Sequence, residues 1–119
     1  MKDNSMSDCL FCKIISGDIP CEFLYQDDEL LAFMDINPQA PFHCLVIPKL
    51  HISSLSATTE EHEAVLGKLA LAATRICKEQ GFDENGYRLV INCGEDGGQT
   101  VQHIHMHILA GRSLQWPPG

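Results

Sequence analysis

Residues 102–109 read Gln-His-Ile-His-Met-His-Ile-Leu, so that His103, His105 and His107 alternate with Ile104, Met106 and Ile108. Strict period two has one structural meaning. Successive side chains of a β-strand point to opposite faces, so the three imidazoles share one face while the apolar residues enter a core. In a helix, residues two apart point nearly opposite ways and the pattern would serve nothing. A strand over about residues 103–109 is therefore expected, and its apolar face demands a second layer to cover it.

At about 3.3 Å per residue the Cα atoms of His103 and His107 lie roughly 13 Å apart, whereas metal–nitrogen bonds are only about 2.0–2.1 Å long. One ion would reach all three rings only in a stretched, nearly linear arrangement. Division of labour fits better, with one histidine coordinating or structural and the others lining a ligand site. The plainer alternative is a solvated polar strand face. Immediately upstream, Gly94-Glu95-Asp96-Gly97-Gly98-Gln99-Thr100 lets backbone N–H groups approach an anion without Cβ obstruction, and Thr100 adds a hydroxyl. Alone this is an ordinary connection; placed before three aligned imidazoles it favours a phosphate-handling pocket.

The remaining chain supplies the second layer. A short helix is expected over residues 10–17, ending at Gly17 before the turn Asp18-Ile19-Pro20. Residues 22–26 and 29–34 flank Asp27-Asp28 as a hairpin, residues 42–47 form a third strand that stops at Pro48, and residues 87–92 form a fourth. A long helix is expected from Thr58, with Glu61 reaching back as a capping box, to Gly81; Val65, Leu66, Leu69, Ala72, Ala73, Ile76 and Cys77 recur along it at helical spacing. These elements make an α+β class with a five-stranded, mainly antiparallel sheet. The 119 residues, 45% of them hydrophobic, suffice for one core without staples. We read residues 1–119 as a single domain, with 1–8 a disordered N-terminus and 111–119 a C-terminal tail.

Sixteen acidic against eight basic side chains give a net charge of −8. No Lys/Arg run occurs, which argues against a nucleic-acid polymer as partner but not against a small phosphorylated ligand. No apolar run approaches the roughly 20 residues that span a bilayer, and the start lacks the order of a secretion signal, so no membrane partner and a cytoplasmic location are expected. The six cysteines therefore read as reduced thiols rather than three disulfides. Cys9-Leu10-Phe11-Cys12 alone leaves a redox pair and a metal pair open, although no thioredoxin-like βαβ context follows.

Residues 103–109 match in full the His-φ-His-φ-His-φ-φ motif, with φ apolar, of the histidine triad (HIT) superfamily. The segments Asp35-Ile36-Asn37-Pro38-Gln39-Ala40-Pro41, Val46-Ile47-Pro48-Lys49 with His51, Asp96-Gly97-Gly98-Gln99 and Trp116-Pro117-Pro118-Gly119 resemble its Hint branch, the purine nucleoside phosphoramidases. The resemblance runs from about Cys9 to the end. It implies the HIT fold, a homodimer whose half-sheets join, and a purine nucleotide in each cleft. It also implies His105 as a nucleophile that forms a nucleotidyl-histidine. His107 and Asn92 would lie on the phosphate side, with backbone groups of Gly98 and Gln99 and the Thr100 hydroxyl stabilising charge or assisting the leaving amine. Asp35 would accept the ribose hydroxyls; Phe11, Ile14, Ile19, Phe33 and Ile36 would sandwich the base, and Trp116 would reach the neighbouring protomer.

Relatives that carry the cysteine pair bind a structural zinc, which maps here to Cys9, Cys12, His51 and His103. Three positions depart from the pattern. Ala110 replaces a usual Gly, Thr100 a usual Ser, and Met34 an often-found His. His62, Cys21, Cys44, Cys77 and Cys93 read as structural or incidental. A dinucleoside polyphosphate hydrolase of the Fhit-like branch and a nucleotide-binding scaffold protein stand as alternative functions.

Overall fold

Two periodicities build the chain, and the computed structural model, which describes residues 8–119, places both. All but Asp8 of the expected disordered N-terminus lies outside the described residues. The period-two segments form one antiparallel sheet in the order β1-β2-β3-β5-β4, with β1 Tyr25–Gln26, β2 Leu30–Met34, β3 Phe42–Pro48, β4 Tyr87–Val90 and β5 Met106–Ala110. The helical segments are α1 (Leu10–Ser16), α2 (Glu63–Glu79) and a single turn, α3 (Gly94–Gly97). No helix among the described residues is long and apolar enough to cross a membrane.

Register sorts the residues by parity. Leu31 faces Ile47 and Leu45 faces His107, so residues of like parity on β2, β3 and β5 share a face. Even positions (Leu30, Ala32, Cys44, Val46, Met106, Ile108) pack beneath α2 against Leu69, Ala72, Ala73, Ile76 and Cys77. The small Ala and Cys side chains let the helix sit close to the sheet. Odd positions (Leu31, Phe33, Leu45, Ile47) pack on the opposite face against Phe11 and Ile14 of α1. With both faces covered, β3 is buried along its whole length.

Several boundaries differ from the sequence expectation, each for a local reason. The last strand starts at Met106 rather than 103, because the Ile104 N–H donates to Ile52 O at 2.8 Å, beyond the end of β3. The alternation survives without the ladder, with Ile104 in the core and His103 and His105 both buried. The long helix starts at Glu63 rather than Thr58. Thr58 Oγ1 donates to Leu55 O at 2.7 Å, while Thr59 caps the 3₁₀ turn Glu60–His62 and the Thr59 N–H donates to His62 Nδ1 at 3.0 Å. His62, which showed no partner in sequence, closes the capping box expected of Glu61. At the other end, Phe82 N–H to Cys77 O (2.8 Å) and Gly81 N–H to Lys78 O (3.2 Å) form a Schellman motif. Asp27 Oδ1 accepts from Glu29 and Leu30 N–H, both at 2.8 Å, and shapes the first hairpin. Tyr25–Gln26 and Tyr87–Val90 are shorter than the strands expected over 22–26 and 87–92.

Two glycines make opposite predictions for stability. Gly111 leaves β5 at φ +95°, and a Cβ there would stand 2.9 Å from Pro41 Cβ; Gly67 lies mid-helix with nothing within 4 Å of its Cβ position. In urea unfolding, Gly111→Ala should cost about 2 kcal/mol or more from backbone strain plus contact. Gly67→Ala should gain about 1 kcal/mol from helix propensity. A Gly111→Ala protein as stable as the parent would contradict this packing of the tail against the 35–41 loop.

Candidate functional site

The odd face of the sheet carries two clusters side by side. In the first, Cys9 and Cys12 stand at the start of α1, His51 follows β3 and His103 precedes β5. Their donor atoms all lie within 4.8 Å of one another. Cys9 Sγ is 3.3 Å and Cys12 Sγ 3.6 Å from His103 Nδ1; His51 Nδ1 is 3.2 Å from both Cys12 Sγ and His103 Nδ1. A tetrahedral zinc site with bonds of about 2.0–2.3 Å has donor–donor edges of about 3.3–3.8 Å, close to these values. The donor chemistry fits as well. His103 Nε2–H donates to Pro48 O at 2.8 Å, so its Nδ1 lone pair faces the cluster, and burial pushes its pKa down to about 4, keeping the ring neutral. Burial, with Cys9 beside it, pushes the Cys12 thiol up to about 12, so paired thiolates would need a cation between them.

In the second cluster, backbone groups fix the tautomers of His105 and His43, and His43 fixes that of His107. His105 Nδ1–H donates to His103 O at 2.8 Å, a carbonyl that can only accept, which leaves Nε2 bare. The Gln39 N–H donates to His43 Nδ1 at 3.0 Å, so the proton of a neutral His43 sits on Nε2, 2.8 Å from His107 Nδ1. His107 accepts there and carries its own proton on Nε2. Asp35 Oδ2 is 3.4 Å from His43 Nε2, and Asp35 Oδ1 accepts from the Asn37 N–H at 2.8 Å, which holds the carboxylate in place.

His43 was not singled out in the sequence. Parity puts it on the odd face of β3 with Leu45 and Ile47, and the pairing of β3 with β5 brings that face against His107. The rings of His43 and His107, and those of His105 and His107, lie 5.1 Å apart. Burial lowers the pKa of His43, with Asp35 opposing. His107 is pushed down to about 4, by burial first and then by His105 and His43, again against Asp35.

Beside these rings opens a largely apolar cavity of about 300 Å³. His105, His107, Asp35 and Thr100 line it, together with Phe11, Ile14, Ile19, Phe33, Ile36 and Met34. Phe11 lies edge-on to Phe33 and to His105, at 5.7 and 5.1 Å between centroids. Cys21, which showed no partner in sequence, is also in the lining.

Four sequence candidates lie elsewhere. Asn92, Gly98, Gln99 and Trp116 do not line this cavity. The Gly98 and Gln99 N–H groups, expected to face an anion, instead donate to Glu95 O and Gly94 O, both at 3.0 Å, because the glycine-rich segment winds into α3. Gln99 is buried, and its side chain bonds Gly94 N–H, Ser53 O and Val101 O. It shapes the loop instead of facing a ligand. Trp116 is 80% exposed, and Arg88 holds the tail before it through Leu114 O and Gln115 O.

The half-buried His107, its pKa pushed down to about 4, sets a pH dependence. Its folded pKa lies below the unfolded value of about 6.5, so the unfolded chain binds more protons as the pH falls. Stability is full above about 6.5 and is lost as the pH drops toward 4. Urea unfolding of His107→Gln should show a shallower loss of stability across that window than the parent; an identical slope would contradict the lowered pKa of His107 in the folded state.

Comparison with known proteins agrees with this geometry. A HIT-domain family model matches residues 16–114. An uncharacterized HIT-like protein of Synechococcus elongatus is 54% identical over 112 residues, covering 94% of this chain and 97% of its own. A 14 kDa zinc-binding protein of Brassica juncea is 47% identical over 114 residues, covering 94% of this chain and all of its own. The crystal structure of a HIT family hydrolase from Legionella pneumophila superposes with a TM-score of 0.92 at 46% identity, covering 94% of this chain and 100% of that one. With its triad at 103–107, this sheet and these relatives, the chain belongs to the HIT-domain family.

Proposed function

We propose that the protein hydrolyses the P–N bond of purine nucleoside 5′-phosphoramidates, such as AMP–amine or AMP–lysine adducts, through a covalent nucleotidyl-histidine on His105. The observation that carries this reading is the bare Nε2 of His105, its proton held on Nδ1 by the His103 carbonyl, beside His107, whose proton lies on Nε2. Neutral imidazole is a competent nucleophile near pH 7. As His105 Nε2 bonds to the α-phosphorus, the P–N bond breaks and the leaving amine takes a proton. Water then attacks phosphorus, the P–Nε2 bond breaks, and the nucleoside monophosphate departs with His105 restored.

The surrounding residues divide the remaining work. His107 Nε2–H donates to a phosphoryl oxygen or the leaving nitrogen, and Thr100 offers its hydroxyl. Asp35, already fixed by Asn37 and His43, accepts the ribose hydroxyls. Phe11, Ile14, Ile19, Phe33 and Ile36 enclose the base by shape and apolar contact. Gly98, Gln99 and Asn92 act at one remove by shaping the phosphate-side loop. Cys9, Cys12, His51 and His103 would hold a structural zinc, which would supply a cross-link and leave His105 and His107 free.

Charge favours an amine leaving group over a polyphosphate one. Among the described residues no Lys or Arg lines the cavity, so the several negative charges of a polyphosphate leaving group would lack a cationic partner there. In the homodimer, the free edge of β4 joins its symmetry mate and Trp116 approaches the partner's cavity.

The test is turnover of adenosine 5′-phosphoramidate against diadenosine tri- and tetraphosphate, by the parent protein and His105→Ala. We expect preference for the phosphoramidate and a fall of several orders of magnitude in His105→Ala. Preference for the polyphosphates supports a dinucleoside polyphosphate hydrolase instead, and full turnover by His105→Ala removes the covalent mechanism. Light scattering should give about twice the chain mass of 13.2 kDa, and a monomer mass would refute the dimer.

A further inference from the structure

The metal cluster and the cavity share a wall, and that wall has few other attachments. Helix α1 supplies Leu10, Phe11 and Ile14 to the cavity lining, yet it is only seven residues long, too short to be stable alone. Among the described residues, the main-chain hydrogen bonds of residues 9–19 run inside that segment: Lys13 N–H to Cys9 O, Gly17 N–H to Ile14 O and Ile19 N–H to Lys13 O. None ties α1 to the sheet. Its attachments among the described residues are side chains: Phe11 and Ile14 in the apolar layer, with the partly buried Ile15 beside them, and the two thiols against His51 and His103. Cys9 is itself the N-cap, its Sγ accepting from the Cys12 N–H at 3.3 Å. The donor atoms that face the metal position therefore also start the helix.

The sheet side of the cluster is anchored independently. His103 is fully buried, with Nε2–H on Pro48 O at 2.8 Å, and the next residue's N–H is on Ile52 O at 2.8 Å. Opening the cluster would free α1 while leaving the His103 carbonyl, and with it the proton position on His105, in place.

We propose that the Cys9–Cys12–His51–His103 cross-link sets the affinity of the cavity for the nucleotide by holding α1 down as its wall. This rests on the reading of the cavity as a nucleoside monophosphate site. The residue that transmits the effect is Phe11, which lies between the two cysteines and places its ring edge-on to both His103 and His105, at 5.8 and 5.1 Å. Coupling of two binding events is reciprocal. Zinc tightens AMP binding, and AMP tightens zinc binding by the same factor.

The experiment uses the full chain loaded with zinc, with Cys12→Ser to open the cluster and Cys12→His to keep four donors. Calorimetric titration with AMP should show binding weakened by about 10-fold or more in Cys12→Ser, within the range typical of coupled sites, and restored in Cys12→His. In the parent protein, transfer of zinc to a chromophoric chelator should be suppressed by saturating AMP by the same factor. This second measurement uses folded, metal-loaded protein and decides the matter even where Cys12→Ser fails to fold. Equal AMP affinity in folded parent and Cys12→Ser, zinc transfer indifferent to AMP, or a parent that takes up no zinc would each overturn the proposal. Zinc-loaded parent that binds no AMP would sink the nucleotide reading and this inference together; binding without coupling sinks this inference alone.

Discussion

The pairing of β3 with β5 is the constraint on which the site depends. It sets Leu45 opposite His107 and His43 opposite Leu109, so that His43 and His107 are diagonal neighbours on one face, near enough for a 2.8 Å hydrogen bond. A slip of one residue would turn His107 toward α2 and expose Ile108 to the cavity side. The core opposes that slip. Met106, Ile108 and Ala110 interlock with Cys44, Val46 and the small residues of α2, and burying a side chain such as Ile108 is worth about 1.5–3 kcal/mol. Packing on one face thus enforces geometry on the other.

That geometry fixes protons as well as rings. Two carbonyls, of His103 and Pro48, and one amide, of Gln39, meet ring nitrogens whose partners they alone can choose. The opposite tautomer of His105 would set a lone pair against the His103 carbonyl and leave a buried acceptor unpaired, a cost of about 1–3 kcal/mol, or roughly 5- to 150-fold in population. In the neutral ring, the position of the His105 lone pair on Nε2 is therefore set by the fold. His43 extends the same logic one step outward, converting the Gln39 amide into a protonated Nε2 on His107.

The sequence carried the strand order's ingredients and the triad's shared face because period two is a local signal that tertiary packing reinforces. Cys9, Cys12, His51 and His103 were legible only through family resemblance, since 94 residues separate the outer pair and no periodicity spans such a gap. His43 escaped because a lone histidine in an apolar strand resembles any core residue; only the register with β5 gives it a partner. The internal pairing of the Gly98 and Gln99 amides was hidden for the opposite reason. Glycine richness signals freedom, and here that freedom is used to wind Gly94–Gly97 into a turn that satisfies those amides internally. Thr58 and Glu61 gave way to Thr59 and His62 by a one-residue shift that cap chemistry alone does not resolve.

On the function proposed above, a chain of net charge −8 would have to stabilise a phosphate without a strongly positive field. The donors on hand are neutral, namely the His107 ring, pushed toward neutrality by burial, and the Thr100 hydroxyl. A neutral donor contributes about 0.5–1.5 kcal/mol net and a charged one about 1.5–3, so each further phosphate charge would gain least in this cavity. Asp35 sharpens the contrast, for its fixed carboxylate repels a second anion. On the function proposed above, the absence of Lys and Arg from the described lining would make the charge of the leaving group, more than the identity of the base, the quantity on which the site discriminates.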